Sequence, residues 1–338
     1  MAKLTYASAG VDINAADQAK RRLHAHVRST FGPQVLGDIG LFSGLYQLSG
    51  FRNPVLSAST DGVGTKVKIA QALGRHDSIG VDLVHHSVND ILTSGARPLF
   101  FLDYIGLGKM DAAVVEAIVS GLARACKGVG CALLGGETAE MPGTYKVGDY
   151  DLAGCIVGAV ERDEVIDGSK IGAGDVLLGL PSSGLHTNGY SLARRIFDLD
   201  DNPKALEKHY PELGRTLGEA LLEPHRCYLN ELSPVLPKVK GLAHITGGGL
   251  PGNVPRVLPK GLAARFKEGS WPLPPIFWMM QERGGIERDE MYRVFNMGLG
   301  MVVAVAPADA DPLLKALPGA MIVGDVGKGE AKPSVSIS

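Results

Sequence analysis

The run Asp61-Gly62-Val63-Gly64-Thr65-Lys66 places a carboxylate, two glycines, a hydroxyl and an ammonium side by side, directly after an apolar stretch. Asp61 can ligate Mg²⁺, the amides of Gly62 and Gly64 can face phosphate oxygens, and Thr65 and Lys66 can bind and neutralise them. This is not a Walker loop, in which glycine directly precedes the lysine. As a bare pattern it fits a tight turn with a solvated lysine equally well. Asp82, His86 and Asp90 recur every four residues, with Asn89 beside the last, so a helix would carry all three on one face. Alone, that is a solvated face. Gly135-Gly136-Glu137-Thr138-Ala139-Glu140 delivers paired glycines and two acids after an apolar strand, which fits a cation site or a capped helix start. Magnesium takes octahedral oxygen ligands, usually a few carboxylates plus substrate phosphates. Asp61, Asp90 and Glu137, each expected at or on the end of an element, are therefore the candidate ligands of a Mg–triphosphate site.

A second constellation lies in the later half. Ser182-Ser183-Gly184-Leu185-His186-Thr187-Asn188-Gly189 gathers hydroxyl, amide and imidazole groups after a strand, and His244-Ile245-Thr246-Gly247-Gly248-Gly249 repeats the theme. Such loops can bind a ribose phosphate through N–H and O–H donors without positive charge, or simply hydrogen-bond to themselves. Gly247 to Gly252 also matches the dinucleotide pattern G-x-G-x-x-G. Pro251, Pro255 and Pro259 crowd the segment where its helix would run, so a Rossmann unit is rejected. No zinc-ligand spacing and no G-x-S-x-G elbow is present.

The elements needed to position these residues are legible as patterns. A helix is expected from Ala15 to about Thr30, then a glycine-rich loop from Gly37 to Gly44. Val55 to Thr60 reads as a strand, Asp82 to Ser94 as a helix, and Pro98 to Ile105 as a strand. Asp111 should cap a helix with Val114, Ile118, Leu122 and Ala125 on one face. Cys131 to Leu134 and Leu152 to Val160 read as strands, and Asp175 to Leu180 opens a new pattern after a charged break. Two domains, 1–168 and 169–338, are expected, as a 338-residue chain exceeds one core. The mixture lacks a strict βαβ rhythm, which favours an α+β class.

Composition narrows the partners. Net charge is -2 with both signs dispersed, and Lys20-Arg21-Arg22 is the one short basic cluster. Nucleic acid and anionic membranes are poor partners for such a chain. Glycine is abundant, 45 residues, clustered after apolar runs where backbone amides can approach a large phosphate-bearing ligand. Cys126, Cys131, Cys155 and Cys227 form no C-x-x-C pair, as expected of buried free thiols in a reducing compartment. No signal pattern and no apolar run near ~18 residues is evident, so a cytoplasmic protein is expected.

Taken in order, several segments resemble one family. They are Gly10-Val11-Asp12-Ile13, Ser59 to Lys66, Val88-Asn89-Asp90-Ile91, Pro98 to Tyr104 and Gly135 to Pro142. Gly184 to Ser191, His244 to Gly249, Asn253 to Pro259 and Phe295 to Met301 complete the series. It resembles the phosphoribosylformylglycinamidine cyclo-ligases, also called aminoimidazole-ribonucleotide synthetases. The resemblance implies an ATP-dependent ligase of purine synthesis that closes the imidazole ring of formylglycinamidine ribonucleotide. It implies a two-domain α+β fold whose N-terminal sheets pair across a homodimer into a barrel-like core, with a C-terminal domain closing over a cleft. It further implies Mg²⁺ on Asp61, Asp90 and Glu137, and ATP along Gly62, Gly64, Thr65, Lys66, Asn89, Gly135, Gly136 and Thr138. Substrate is expected at Ser182, Ser183, His186, Asn188 and Gly247 to Gly249, with Lys66, His186 and His244 as catalytic candidates. Relatives that phosphorylate other groups, thiamine-monophosphate kinase and selenophosphate synthetase, are the nearest rivals, and a non-catalytic nucleotide-binding scaffold is another. The chain is less glycine-dense at Gly37 to Gly44 than that family, where Asp38 offers a further carboxylate.

Overall fold

The computed structural model describes residues 22–40 and 42–338. The helix expected from Ala15 is described only over 22–28. Gly10 to Ile13, Lys20-Arg21 and Leu41 lie outside the described residues. Two compact units are present. One comprises the described residues up to Ile91 together with Arg97–Ala159, the other Leu92–Ala96 with Val160–Ser338. The division thus falls just after Ala159 rather than near residue 168. The reason is local: the carbonyl of Ser94 accepts from Ile166 N–H, and Gly168 backs onto the Val257 carbonyl, so 161–168 packs with the later half.

The first unit is a four-stranded sheet with helices on one face. Its elements are β1 (Pro54–Gly62), α1 (Val67–Leu73), α2 (Asp77–Leu92), β2 (Arg97–Leu107), α3 (Ala112–Gly128), β3 (Ala132–Glu140) and β4 (Tyr150–Glu161). The order across the sheet is β1-β4-β2-β3, with β2 and β3 parallel and β4 antiparallel to β2. Asp111 caps α3 as expected, accepting from the amides of Ala113 and Val114. A Cβ on Gly80 or Gly121 would strike the other helix's backbone, so the paired glycines let α2 and α3 cross in contact. Phe101 points to the helices, because a side chain at Gly154 would meet both Phe101 and Leu83 of α2. Alternation along β2 then turns Leu102 and Tyr104 to the opposite face, where both are exposed, as is Leu56 of β1.

The second unit holds a six-stranded sheet. Its elements are β5 (Val176–Pro181), α4 (Tyr190–Ile196), α5 (Leu217–Leu222), α6 (Leu229–Leu232), β6 (Val239–His244), α7 (Gly249–Asn253), β7 (Leu262–Phe266), α8 (Pro275–Gly284), α9 (Arg288–Val294), β8 (Leu299–Val305), α10 (Pro307–Ala316), β9 (Met321–Lys328) and β10 (Ser334–Ile337). The order is β6-β8-β5-β9-β7-β10, antiparallel except for the β7–β10 pair. Strand β8 is buried at every position, as an inner strand covered on both faces must be. Mixed α and β content in two units agrees with the expected class. β6 pairs antiparallel with β8 and α7 is only five residues long, so Gly247 to Gly252 starts no βαβ unit.

Candidate functional site

In the first unit, β1 alternates so that Ser59 and Asp61 face the helices. Asp61 Oδ2 lies 2.7 Å from His86 Nε2, and Asp90 Oδ2 lies 3.7 Å from the same nitrogen. Ser59 Oγ donates to Asp90 Oδ2 at 3.0 Å, and Asp61 Oδ1 accepts from the Gly62 amide at 2.7 Å. Two carboxylates from β1 and α2 therefore meet around one imidazole. Burial lowers the His86 pKa, but the hydrogen bond to Asp61 and the charges of Asp90, Asp61 and Asp82 outweigh it and raise the net value. His86 is 4% exposed, whereas Asp61 is 44% and Asp90 27% exposed, so the acids reach solvent and the ring backs them. Oxygen donors open to solvent fit a hard divalent cation such as Mg²⁺.

Three expectations need correction here. Asp82 and His86 do not form a solvated face: α2 starts at Asp77, and both residues are buried. Lys66 does not point at a phosphate. It is fully buried, with Nζ 2.9 Å from Asp82 Oδ1 and 2.8 Å from Oδ2. A short 3-10 turn over Gly64–Lys66 turns the lysine inward, and Gly64 at φ +60° supplies the left-handed residue that turn needs.

The third correction concerns Glu137. Gly135 and Gly136 do not end a strand, because β3 continues through Glu140. Glu137 pairs with Tyr104, so it lies on the exposed face, while Asp61 and Asp90 meet at the helix-covered face. It is also on the opposite edge strand, three strand spacings or about 14 Å from β1. Glu137 and Asp61 do not share a cation within one chain. Gly136 has a different purpose: a Cβ there would lie 2.4 Å from Asp103 Oδ1, so the glycine admits that carboxyl beneath the sheet. Burial pushes the Asp103 pKa up to about 7. Thr65 is half-buried, Asn89 is buried within α2, and Thr138 is half-buried on β3. In the loop before β1, Asp38 Oδ1 pairs with Arg28 Nη1 at 2.5 Å.

The second unit brings its candidates together. Ser182 Oγ donates to Asn296 Oδ1, Asn296 Nδ2 donates to the Gly184 carbonyl, and Ser183 Oγ donates to the Pro224 carbonyl. Gly247 lies against Asn188, its built Cβ 3.1 Å from Oδ1, so the two glycine loops adjoin. Asn253 Nδ2 ties the second loop, reaching the carbonyls of Thr246, Gly247 and Gly249. Gly248 and Gly249 both have positive φ, and a Cβ at Gly249 would strike the Tyr292 carbonyl.

Three imidazoles of the same unit cluster. His186 sits at φ +62°, a strained setting for a non-glycine residue, and its Nε2 accepts the Ser183 amide at 3.1 Å. An accepting Nε2 carries no proton, so His186 is a neutral ring protonated on Nδ1. As a general base it would have to use a nitrogen already occupied; in this arrangement it is a donor. His244 Nε2 lies 3.0 Å from His225 Nε2, and His225 stacks on His186 with centroids 3.9 Å apart. All three rings are at most 5% exposed. Gly300 of β8 leaves the space that Tyr228 Oη and His186 occupy, and Tyr228 donates to the Pro181 carbonyl. His225 and Tyr228 carry no sequence signal of their own, whereas Asn253 and Asn296 stand in segments that carry the family resemblance, without a role being read for either. His225 stands in Pro224-His225-Arg226, with no glycine, strand exit or repeat to flag it.

Comparison with known proteins gives the same division. The N-terminal domain of AIR synthase related proteins matches residues 50–160, and the corresponding C-terminal domain matches 172–337. A protein of Trichlorobacter lovleyi called phosphoribosylformylglycinamidine cyclo-ligase is 52% identical, covering 96% of this chain and 95% of its own. One of the same name from Geobacillus kaustophilus is 53% identical, covering 97% of each. Among solved structures, a thiamine-monophosphate kinase from Stenotrophomonas maltophilia has TM-score 0.67 at 19% identity, covering 97% of this chain and 96% of that one. Hydrogenase maturation protein HypE in complex with ATP has TM-score 0.67 at 16% identity, covering 94% and 91%. These last two share the fold. By identity across nearly its full length, the chain belongs to the phosphoribosylformylglycinamidine cyclo-ligase family of AIR synthase related proteins.

Proposed function

We propose that this chain is a cytoplasmic ligase that uses ATP to cyclise formylglycinamidine ribonucleotide to 5-aminoimidazole ribonucleotide, releasing ADP and phosphate in purine synthesis. The observation that carries the reading is identity of 52–53% over nearly the whole chain with proteins named for that reaction. The fold neighbours with kinase or maturation titles are only 16–19% identical and carry no substrate argument. The four cysteines are free thiols, which suits a reducing compartment. Among the described residues no helix is long and apolar enough to cross a membrane.

An amide oxygen leaves poorly. Phosphorylating the formamide oxygen converts it into phosphate, after which the amidine nitrogen can attack the carbon. The protein's part in such a transfer is positioning and charge stabilisation. Asp61 and Asp90 would hold Mg²⁺, which when bound neutralises charge on the triphosphate. The amides of Gly62 and Gly64 and the Thr65 hydroxyl would receive phosphate oxygens. Ser182, Ser183, Asn188 and the Gly247–Gly249 amides would hold the ribonucleotide phosphate. His186 would donate a proton or hydrogen bond from Nδ1, and His244 is the second proton-transfer candidate.

The working form in this reading is a homodimer. The exposed sheet face of the first unit carries Leu56, Leu102 and Tyr104, apolar surface suited to cover by a second sheet. Glu137 lies on that same face and would serve a nucleotide site completed by a second copy. The test is ADP release by the purified protein with and without formylglycinamidine ribonucleotide. ADP production that ignores the ribonucleotide would refute the assignment.

A further inference from the structure

Asn253 closes α7 and is 3% exposed, so its polar atoms need partners inside the chain. Its Nδ2 meets three carbonyls of one loop, that of Gly249 at 2.8 Å and those of Thr246 and Gly247 at 3.3 Å. Its Oδ1 accepts from Thr246 Oγ1 at 3.3 Å. The side-chain amide cannot be turned round, because carbonyls only accept and the nitrogen must therefore face them. One neutral side chain thus gathers the carbonyl edge of the segment 246–249.

The opposite edge of that segment follows from peptide geometry. In a trans peptide the N–H of each residue points away from the C=O of the residue before it, and these peptides are trans. Holding the Thr246 carbonyl on Asn253 therefore turns the Gly247 N–H away from it. Holding the Gly247 carbonyl does the same for the Gly248 N–H. Gly248 and Gly249, at φ +97° and +57°, supply the left-handed residues that let the carbonyls converge. The amides of Gly249 and Gly252 are returned to the loop, donating to the Thr246 and Gly248 carbonyls. Those of Gly247 and Gly248 donate to no acceptor among the described residues. A peptide flipped at either place would show a carbonyl oxygen instead, and would repel an anion that the N–H attracts.

We propose that Asn253 is a positioning residue for the ribonucleotide phosphate: acting through the loop rather than on the ligand, it keeps the N–H groups of Gly247 and Gly248 turned outward to receive phosphate oxygens. The proposal rests on the proposed function for the owner of that phosphate; the orientation of the amides is tested with inorganic phosphate. A loop held ready binds more tightly than one that must be ordered on binding. Loss of the Asn253 donors should raise KM for the ribonucleotide about tenfold or more. It should hardly change kcat or KM for ATP.

The full chain, labelled with ¹⁵N in its glycines, is titrated with inorganic phosphate. The Gly247 and Gly248 amide resonances should move in the parent protein and stay in place in Asn253→Asp. Steady-state kinetics then separate donor chemistry from the filling of space. Asn253→Asp keeps the shape and offers lone pairs to the carbonyls, whereas Asn253→Ala leaves room for a water with two O–H donors. The Asp variant should therefore raise KM for the ribonucleotide more than the Ala variant, with kcat within about threefold of the parent. A role limited to packing reverses that order, since Ala opens a cavity and Asp does not. The reversed order, a parent-like KM in both variants, or phosphate that leaves both glycine amides unmoved in the parent would each overturn the proposal. Should Asn253→Asp not fold, the Ala variant decides alone: a raised KM with kcat kept supports the proposal, and a parent-like KM overturns it. Phosphate shifts without ribonucleotide-dependent ADP release would uphold the amide orientation and refute the proposed function.

Discussion

Lys66→Met separates the two roles open to this residue. The substitution keeps an unbranched apolar stem and removes the ammonium, which lies 2.8 Å from Asp82 Oδ2 with both side chains at 0% exposure. At an effective dielectric of 20, that separation corresponds to about 6 kcal/mol of gross attraction, much of it offset by desolvation of the two ions. Removing one partner leaves the other charge buried, which costs about 3–5 kcal/mol. With a urea slope of about 2–3 kcal/mol per M, the unfolding midpoint should drop by about 1.5 M. The double variant Lys66→Met/Asp82→Leu should recover most of that loss, because no charge is then stranded. Urea titration monitored by circular dichroism reads the midpoint, and ADP release at varied ATP reads nucleotide affinity. A Lys66→Met protein with an unchanged midpoint and a KM for ATP raised tenfold would refute the ion-pair account and return Lys66 to the phosphates.

Asp61→Asn should abolish ATP-dependent turnover while circular dichroism stays unchanged; turnover like the parent protein would remove Asp61 from the site. Gly136→Ala should destabilise by roughly 1–3 kcal/mol in thermal unfolding, since its methyl would lie 2.4 Å from Asp103 Oδ1. Asp103, at about 7 when folded against 3.8 otherwise, binds its proton more tightly in the native state. Stability from this group is therefore full below pH 3.8 and falls as pH rises towards about 7, by at most about 4 kcal/mol. Asp103→Asn should flatten that slope in urea titrations at pH 4.5 and 8; an unchanged slope would show the carboxyl to be solvated. His186→Ala should lower turnover strongly while ATP binding, read by calorimetry, survives.

Most elements could be read from period and punctuation. The cap at Asp111 and the apolar stripe of α3 are local features, and local features survive folding. The glycine loops of the second unit were equally visible, because glycine at positive φ, as at Gly248 and Gly249, is required by backbone geometry alone. Long-range partners were not legible. Lys66 and Asp82 are sixteen residues apart, and nothing in either segment says that each neutralises the other. His225 gains its meaning only from His186 and His244, which reach it from a loop after β5 and the end of β6. The four-residue spacing of Asp82, His86 and Asp90 located one helical face correctly, but not whether that face meets water or β1.

The misplacement of Glu137 shows how a glycine pair can mislead. Gly135-Gly136 after an apolar run looks like the end of a strand, and a carboxylate at a strand end can turn either way. Here the strand runs on, because Gly136 serves the close approach of Asp103 from β2 rather than a turn. Once the backbone stays extended, alternation decides the outcome: Gly136 faces the helices beside Asp103, and Glu137 must face the other side beside Tyr104. In the proposed reading the carboxylates that would hold Mg²⁺ are thus Asp61 and Asp90, the pair gathered around His86. Two carboxylates are enough for a magnesium ion whose other ligands are phosphate oxygens and water. In that reading a single chain would depend on its nucleotide to complete the metal's coordination, so cation and ATP should bind together and each weakly alone.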